Sequence, residues 1–122
     1  NITLKRAAGT VTEGGTSAAE YDAIQFKKQG NGDFSNIVIS GYTTAGATAV
    51  RIQDVATNTG QVDGHRIKLT NVKINDGISQ YAGATGITVL FADTDYTLSA
   101  DATGASITPG AWTVVEGINL LN

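Results

Sequence analysis

The sequence predicts an all-β chain: a parallel β-helix segment of about three to four coils, with a β-sandwich or jelly roll as the alternative. Three observations lead there. The 122 residues include 15 Gly and one Pro, only 16% are charged, and Thr and Ala abound while the strong helix formers are scarce, which excludes a helical bundle. Apolar residues alternate with polar ones in short runs. Those runs also recur at a fixed spacing.

In chain order, the runs are 2–4, 23–26, 36–40, 49–52, 66–74, 86–91 and 111–115. The first six supply inward apolar residues two apart: Ile2 and Leu4, Ile24 and Phe26, Ile37 and Ile39, Val50 and Ile52, Val72 and Ile74, then Ile87 and Val89. Clusters of Gly, Asn, Asp, Ser and Thr separate them, which is turn chemistry rather than helix capping. The one helix-compatible tract, 16–21, is long enough for a single helical turn, with a loop as the other reading.

Asn1, Asn36 and Asn71 stand 35 residues apart, each opening an Asn–apolar–any–apolar phrase. In the second and third copies the likeness extends backward, Phe34-Ser35-Asn36 matching Leu69-Thr70-Asn71. A second set, Ala23-Ile24-Gln25-Phe26, Ala49-Val50-Arg51-Ile52 and Gly86-Ile87-Thr88-Val89, follows at variable distance. Fixed strand register with loops of free length is what stacked coils require, because strands share a core and loops point outward. Asn suits a recurring bend: it tolerates a left-handed backbone, and its amide can bond its equivalents above and below. Asn1, Asn36 and Asn71 are therefore expected to form an internal ladder.

Residues 22–54 resemble the late coils of pectate-lyase-like right-handed parallel β-helix proteins of bacterial surfaces. The likeness rests on Ala23-Ile24-Gln25-Phe26, the Gly30-Asn31-Gly32 turn, Phe34-Ser35-Asn36-Ile37-Val38-Ile39, Gly41-Tyr42, and a closing Gly110-Ala111-Trp112-Thr113. It implies a right-handed helix and an extracellular or outer-cell-surface location, in a family with many members of unknown activity. Residues 1–122 are then one β-solenoid domain or the C-terminal part of a longer β-helix, with 97–122 folding over the last coil as an end cap. Ile2 already belongs to a core strand, so the N-terminal face is expected to meet more protein, either further chain or a stacked identical subunit.

A net charge of −3 argues against nucleic acid as the main partner, since phosphate binding needs a concentrated basic face. No apolar run is long enough for a transmembrane helix. There is no Cys, so no disulfide staples the fold, and no cofactor is implied. The expected function is a non-enzymatic extracellular structural or binding module whose partners are protein and glycan. The alternatives are a self-assembling filament subunit and a fragment of a carbohydrate-active β-helix enzyme.

Candidate sites are few. Tyr42, Tyr81 and Tyr96 lie beside turn residues and are candidate ligand contacts. Asp93, Asp95 and Asp101 are a calcium candidate, although no closing Glu completes an EF-hand loop. Gly64-His65, Arg66-Ile67-Lys68 and Asp93-Thr94-Asp95 resemble fragments of the polygalacturonase signature, but no adjacent Asp pair accompanies them. Solvated strand and turn positions account for these as well, and no catalytic residue is assigned.

Overall fold

The computed structural model describes residues 1–6 and 22–106, with the backbone of 114–115 and 118–119. Its regular structure is mostly strand, in two parallel sheets between which the chain alternates. The first sheet has the order β1 (Ile2–Lys5), β3 (Gly32–Ser40), β5 (Ile67–Ile74), β7 (Tyr96–Leu98). The second has β2 (Ile24–Phe26), β4 (Thr48–Ile52), β6 (Ser79–Gly83). A two-residue pair, β8 (Val114–Val115) and β9 (Ile118–Asn119), is antiparallel. The tract 16–21 and residues 111–113 lie outside the described residues.

In the first sheet Ile2 stacks on Ile37 and Ile37 on Val72, while Leu4 stacks on Ile39 and Ile39 on Ile74. Every step is 35 residues, the spacing of the asparagines. Burial follows this register. Ile37, Ile39, Ile67, Leu69 and Val72 face a common core with Val50 and Ile52 of the second sheet. Each such side chain contributes about 1.5–3 kcal/mol by leaving water.

In β5 the buried residues run Ile67, Leu69, then Val72, a step of three where a strand should step by two. Asn71 makes the extra step, at φ +54, and Asn36 does the same in β3 at φ +54. One left-handed residue turns the strand so that inward positions resume on the other parity.

Between β6 and β7 the pattern departs from expectation. The third strand of the second sheet is Ser79–Gly83, with Tyr81 on Val50 and Gly83 on Ile52. Residues 86–91 form no strand, and Ile87 and Val89 are half-buried in an irregular segment. Position 83 has no side chain to offer the core, and the space a Cβ would take there is filled by Ile87 itself. An apolar alternation in 86–91 thus serves packing without pairing.

The loop from β4 to β5 holds an unexpected helical stretch: one α turn, Val55–Thr57, running into a wider turn, Asn58–Val62. Asp54 caps it, its carboxylate accepting from the Thr57 N–H at 2.8 Å. No helix among the described residues is long and apolar enough to cross a membrane.

Candidate interaction surface

The asparagines sit at the bend of the first sheet. The Asn36 amide nitrogen donates to Asn1 Oδ1 at 2.9 Å, so these two side chains join across adjacent strands. The Asn71 N–H donates instead to Thr97 Oγ1 at 2.9 Å. In β7, Tyr96 stacks on Leu69 and Leu98 on Val72, so two residues span what three span in β5, and Thr97 stands at the bend in place of an Asn. Asn1 and Asn71 are exposed and Asn36 half-buried, which puts this column at the surface of the bend rather than inside the core.

Asn36 also anchors a returning segment. Its Oδ1 accepts from the N–H groups of Thr103 (2.8 Å) and Gly104 (3.3 Å), and the Ala105 N–H donates to Thr3 Oγ1 at 2.9 Å. Gly104 is at φ +69 and so close to Ile2, Thr3 and Val38 that any side chain there would collide. The described part of the 97–122 segment therefore leaves the last strand and lies back across the sheet to β1. Trp112 and the rest of the expected cap lie outside the described residues.

The second sheet is tied by Asp22. Its carboxylate, 2% exposed, accepts Arg51 Nε at 2.9 Å and Nη2 at 3.0 Å, together with the Thr48 N–H and hydroxyl at 2.8 Å each. Arg51 reaches on to the carbonyls of Gly46 and Gly83. Burial alone would raise the Asp22 pKa, but the Arg51 and Thr48 hydrogen bonds hold it below the usual carboxylate value. Sequence reasoning missed this pair because the partners are 29 residues apart and belong to no motif. Beyond the sheet, the Lys28 N–H bonds Asp54 Oδ2 and the Gln29 N–H bonds Thr57 Oγ1, which docks one loop on the next.

The remaining candidates are placed as follows. Tyr96 is buried and Tyr81 half-buried. They stack edge-on at 5.1 Å, each also against Phe91, and this aromatic cluster closes the core near its last strands and takes both rings away from the surface. Burial pushes the Tyr96 phenol well above its usual pKa, with Tyr81 adding to the shift. Tyr42 is half-buried against the core.

Asp95 is buried and accepts from the exposed His65 imidazole Nδ1 at 2.5 Å. That hydrogen bond, against the opposing effect of burial, holds its pKa below the ordinary range. Asp93 and Asp101 are exposed, and no group of three or more His, Cys, Asp or Glu suited to a metal exists among the described residues. Arg66 is exposed and Lys68 half-exposed, on either side of the buried Ile67.

Among the described residues the two sheets have four edge strands, β1 and β7 in the first and β2 and β6 in the second, each paired on one side. At β1, the Arg6 N–H donates to the Ser40 carbonyl, so alternation turns Ile2 and Leu4 toward β3 and leaves the backbone of Thr3 and Lys5 facing the open side. An apolar depression lined by Ile2, Leu4, Ala23, Ile24 and Phe34 opens beside this edge. A second depression, lined by Val72, Ile74, Ile78 and Leu98, opens beside β7. No protein-family model, no curated protein and no solved structure matches the chain.

Proposed function

We propose that the chain is a segment of a right-handed parallel β-helix, and that it serves as a non-enzymatic structural and binding module of an extracellular surface protein. In this reading the β1 edge joins it to more protein. Alternation between two parallel sheets supports the coil, and the strong right-handed preference of parallel crossovers supplies the hand. The observation that carries the function is the apolar column Val72–Ile37–Ile2, which among the described residues runs out at an edge with no partner strand. An open edge with apolar residues in register recruits another strand of the same pattern. Low charge and abundant Thr, Gly, Ala and Ser support an extracellular setting, and the exposed loops are where a glycan partner would be met.

The carbohydrate-active alternative has one observation in its favour, the meeting of His65 with Asp95. Glycoside hydrolysis needs two carboxylates across the bond. Asp95 is committed to His65 and Thr94, and the other carboxylates beside His65, Asp63 and Asp93, are exposed at the rim of an open depression.

Amide hydrogen exchange tests the module reading. In material from the native source, the Thr3 and Lys5 N–H groups should exchange at least about tenfold more slowly than in the dilute isolated chain, as expected of amides taken into a ladder. Equal rates in the two samples would defeat the reading.

A further inference from the structure

We propose that the strand taken up at the β1 edge is β7 of a second copy of this chain, so that copies stack head to tail. This rests on the reading that the β1 edge engages a strand. The first argument is charge. All eight Lys and Arg lie within residues 1–73, and from residue 74 onward there is none, only Asp76, Asp93, Asp95, Asp101 and Glu116. Strand order turns this asymmetry in sequence into one along the stacking axis. At the β1 end, Lys5, Lys27 and Lys28 are exposed; of the acids among the described residues there, Asp22 is held by Arg51 and Asp33 lies beside Lys68 in the strand register, while Glu13 and Glu20 lie outside the described residues. At the β7 end, Asp93 and Asp101 are exposed, and Lys73, half-buried in the depression beside β7, is the last cation in the sequence.

The second argument is register. Leu98 ends the column Ile2–Ile37–Val72–Leu98 and is 53% exposed on its edge strand. A second copy placed one strand spacing beyond, about 4.8 Å, sets its Ile2 on Leu98 and continues the column. Lys5 ends β1 and Asp101 stands exposed in the turn just after β7, so the join brings opposite charges to the same end of the strands. The depression beside β1 is largely apolar, and that beside β7 sets Val72, Ile74, Ile78 and Leu98 among Lys73, Asn75 and Gln80. A β1-to-β1 dimer would run the strands antiparallel and, at full overlap, set Lys5 opposite Ile2, which ends the apolar column. The head-to-tail join is heterologous and does not close, so it generates filaments.

The test is sedimentation velocity with negative-stain microscopy on the purified chain, at 20 mM and 500 mM salt, for the native sequence, Lys5→Glu, Asp101→Lys and the double variant. Expected are concentration-dependent polymers that weaken with salt, each single reversal weakening assembly about tenfold and the double regaining most of it. Both sites are exposed, and unchanged unfolding midpoints confirm that the variants fold. Leu98→Asp should also abolish assembly while leaving the midpoint in place. A chain that stays monomeric at every concentration and salt, or a double variant no better than the singles, overturns the proposal. If the isolated chain is monomeric while Thr3 and Lys5 are protected in native material, the second-copy assignment falls and the module reading stands. If those amides are also unprotected in native material, both fall.

Discussion

Replacing Asn36 by Ala tests whether the bend of the first sheet depends on that side chain. Two losses are expected. Ala in a left-handed backbone costs roughly 1 kcal/mol, and Asn36 is held there at φ +54. The side chain also makes two short hydrogen bonds, from its Oδ1 to the Thr103 N–H at 2.8 Å and from its Nδ2 to Asn1 Oδ1 at 2.9 Å. A net bond is worth about 1 kcal/mol, and the partly exposed setting lowers the pair to about 1.5 kcal/mol together. Asn36→Ala should therefore lose about 2.5 kcal/mol, and Asn36→Gly, which keeps the bonds broken but relieves the backbone, about 1.5 kcal/mol. Urea denaturation followed by circular dichroism gives both numbers, provided the slope is unchanged. Asn36→Asp keeps the acceptor for Thr103 and Gly104 and should fall between native and Gly. If Ala and Gly destabilise equally, the left-handed strain is not what selects Asn here. If neither costs more than about 0.5 kcal/mol, the argument for the column fails.

Two other perturbations probe the second sheet and the aromatic cluster. Arg51→Met leaves the Asp22 carboxylate buried without its bidentate partner, which should cost about 2–3 kcal/mol in chemical denaturation. The Asp22 pKa is lower folded than its ordinary 3.8, so the stability it contributes is present above that value and drains away as pH falls through the folded one. The native chain should consequently lose stability on acidification more steeply than Arg51→Met; parallel pH profiles would count against the pairing. For Tyr96, whose phenol burial drives upward, ultraviolet titration should show one tyrosine ionising only with alkaline unfolding. Tyr96→Phe should remove that late step at a cost of about 1 kcal/mol or less, its hydroxyl giving up a 3.3 Å bond to the Gln80 carbonyl. A late step that survives the substitution would place the buried phenol elsewhere.

Much of the strand register was readable because one residue type sits at a backbone that few others accept. Asn36 and Asn71 recur because the bend needs a positive φ, and the apolar residues on either side recur because they stack on one another. Both constraints are local in sequence and repeat at a fixed interval, so 35-residue spacing and strand pairing are the same observation. The second sheet was less legible. Its steps are 26 residues from Ile24 to Val50 and 31 from Val50 to Tyr81, and its third strand, Ser-Gln-Tyr-Ala-Gly, has one large apolar residue where the others have two. Val89 and Phe91 supply the missing bulk from outside the strand, so apolar alternation marked residues that fill the core but not the ones that pair.

The candidate surface divides along the same line. Side chains that act by stacking on their equivalents can be read from a repeat; those that act once cannot. Asp22 and Arg51, His65 and Asp95, and Asp54 at its helical turn each join places brought together only by the winding of the chain. The tyrosines invert the error. A Tyr beside Gly or Asp reads as a turn residue open to ligands, yet Tyr81 and Tyr96 turn inward with Phe91, where the first sheet has lost its bend Asn and the second has only Gly83 to set on Ile52. Aromatic bulk is needed there because the regular aliphatic stack is thinning. That irregularity is confined to the β7 end; at β1 the column still presents Ile2 and Leu4 in strict register. An edge that keeps the repeat can be extended by any strand of the same pattern, while one whose repeat is worn down to Leu98 accepts only a partner that supplies what it lacks. β1 of the same chain, with two aliphatic side chains and a cation in place, is such a partner.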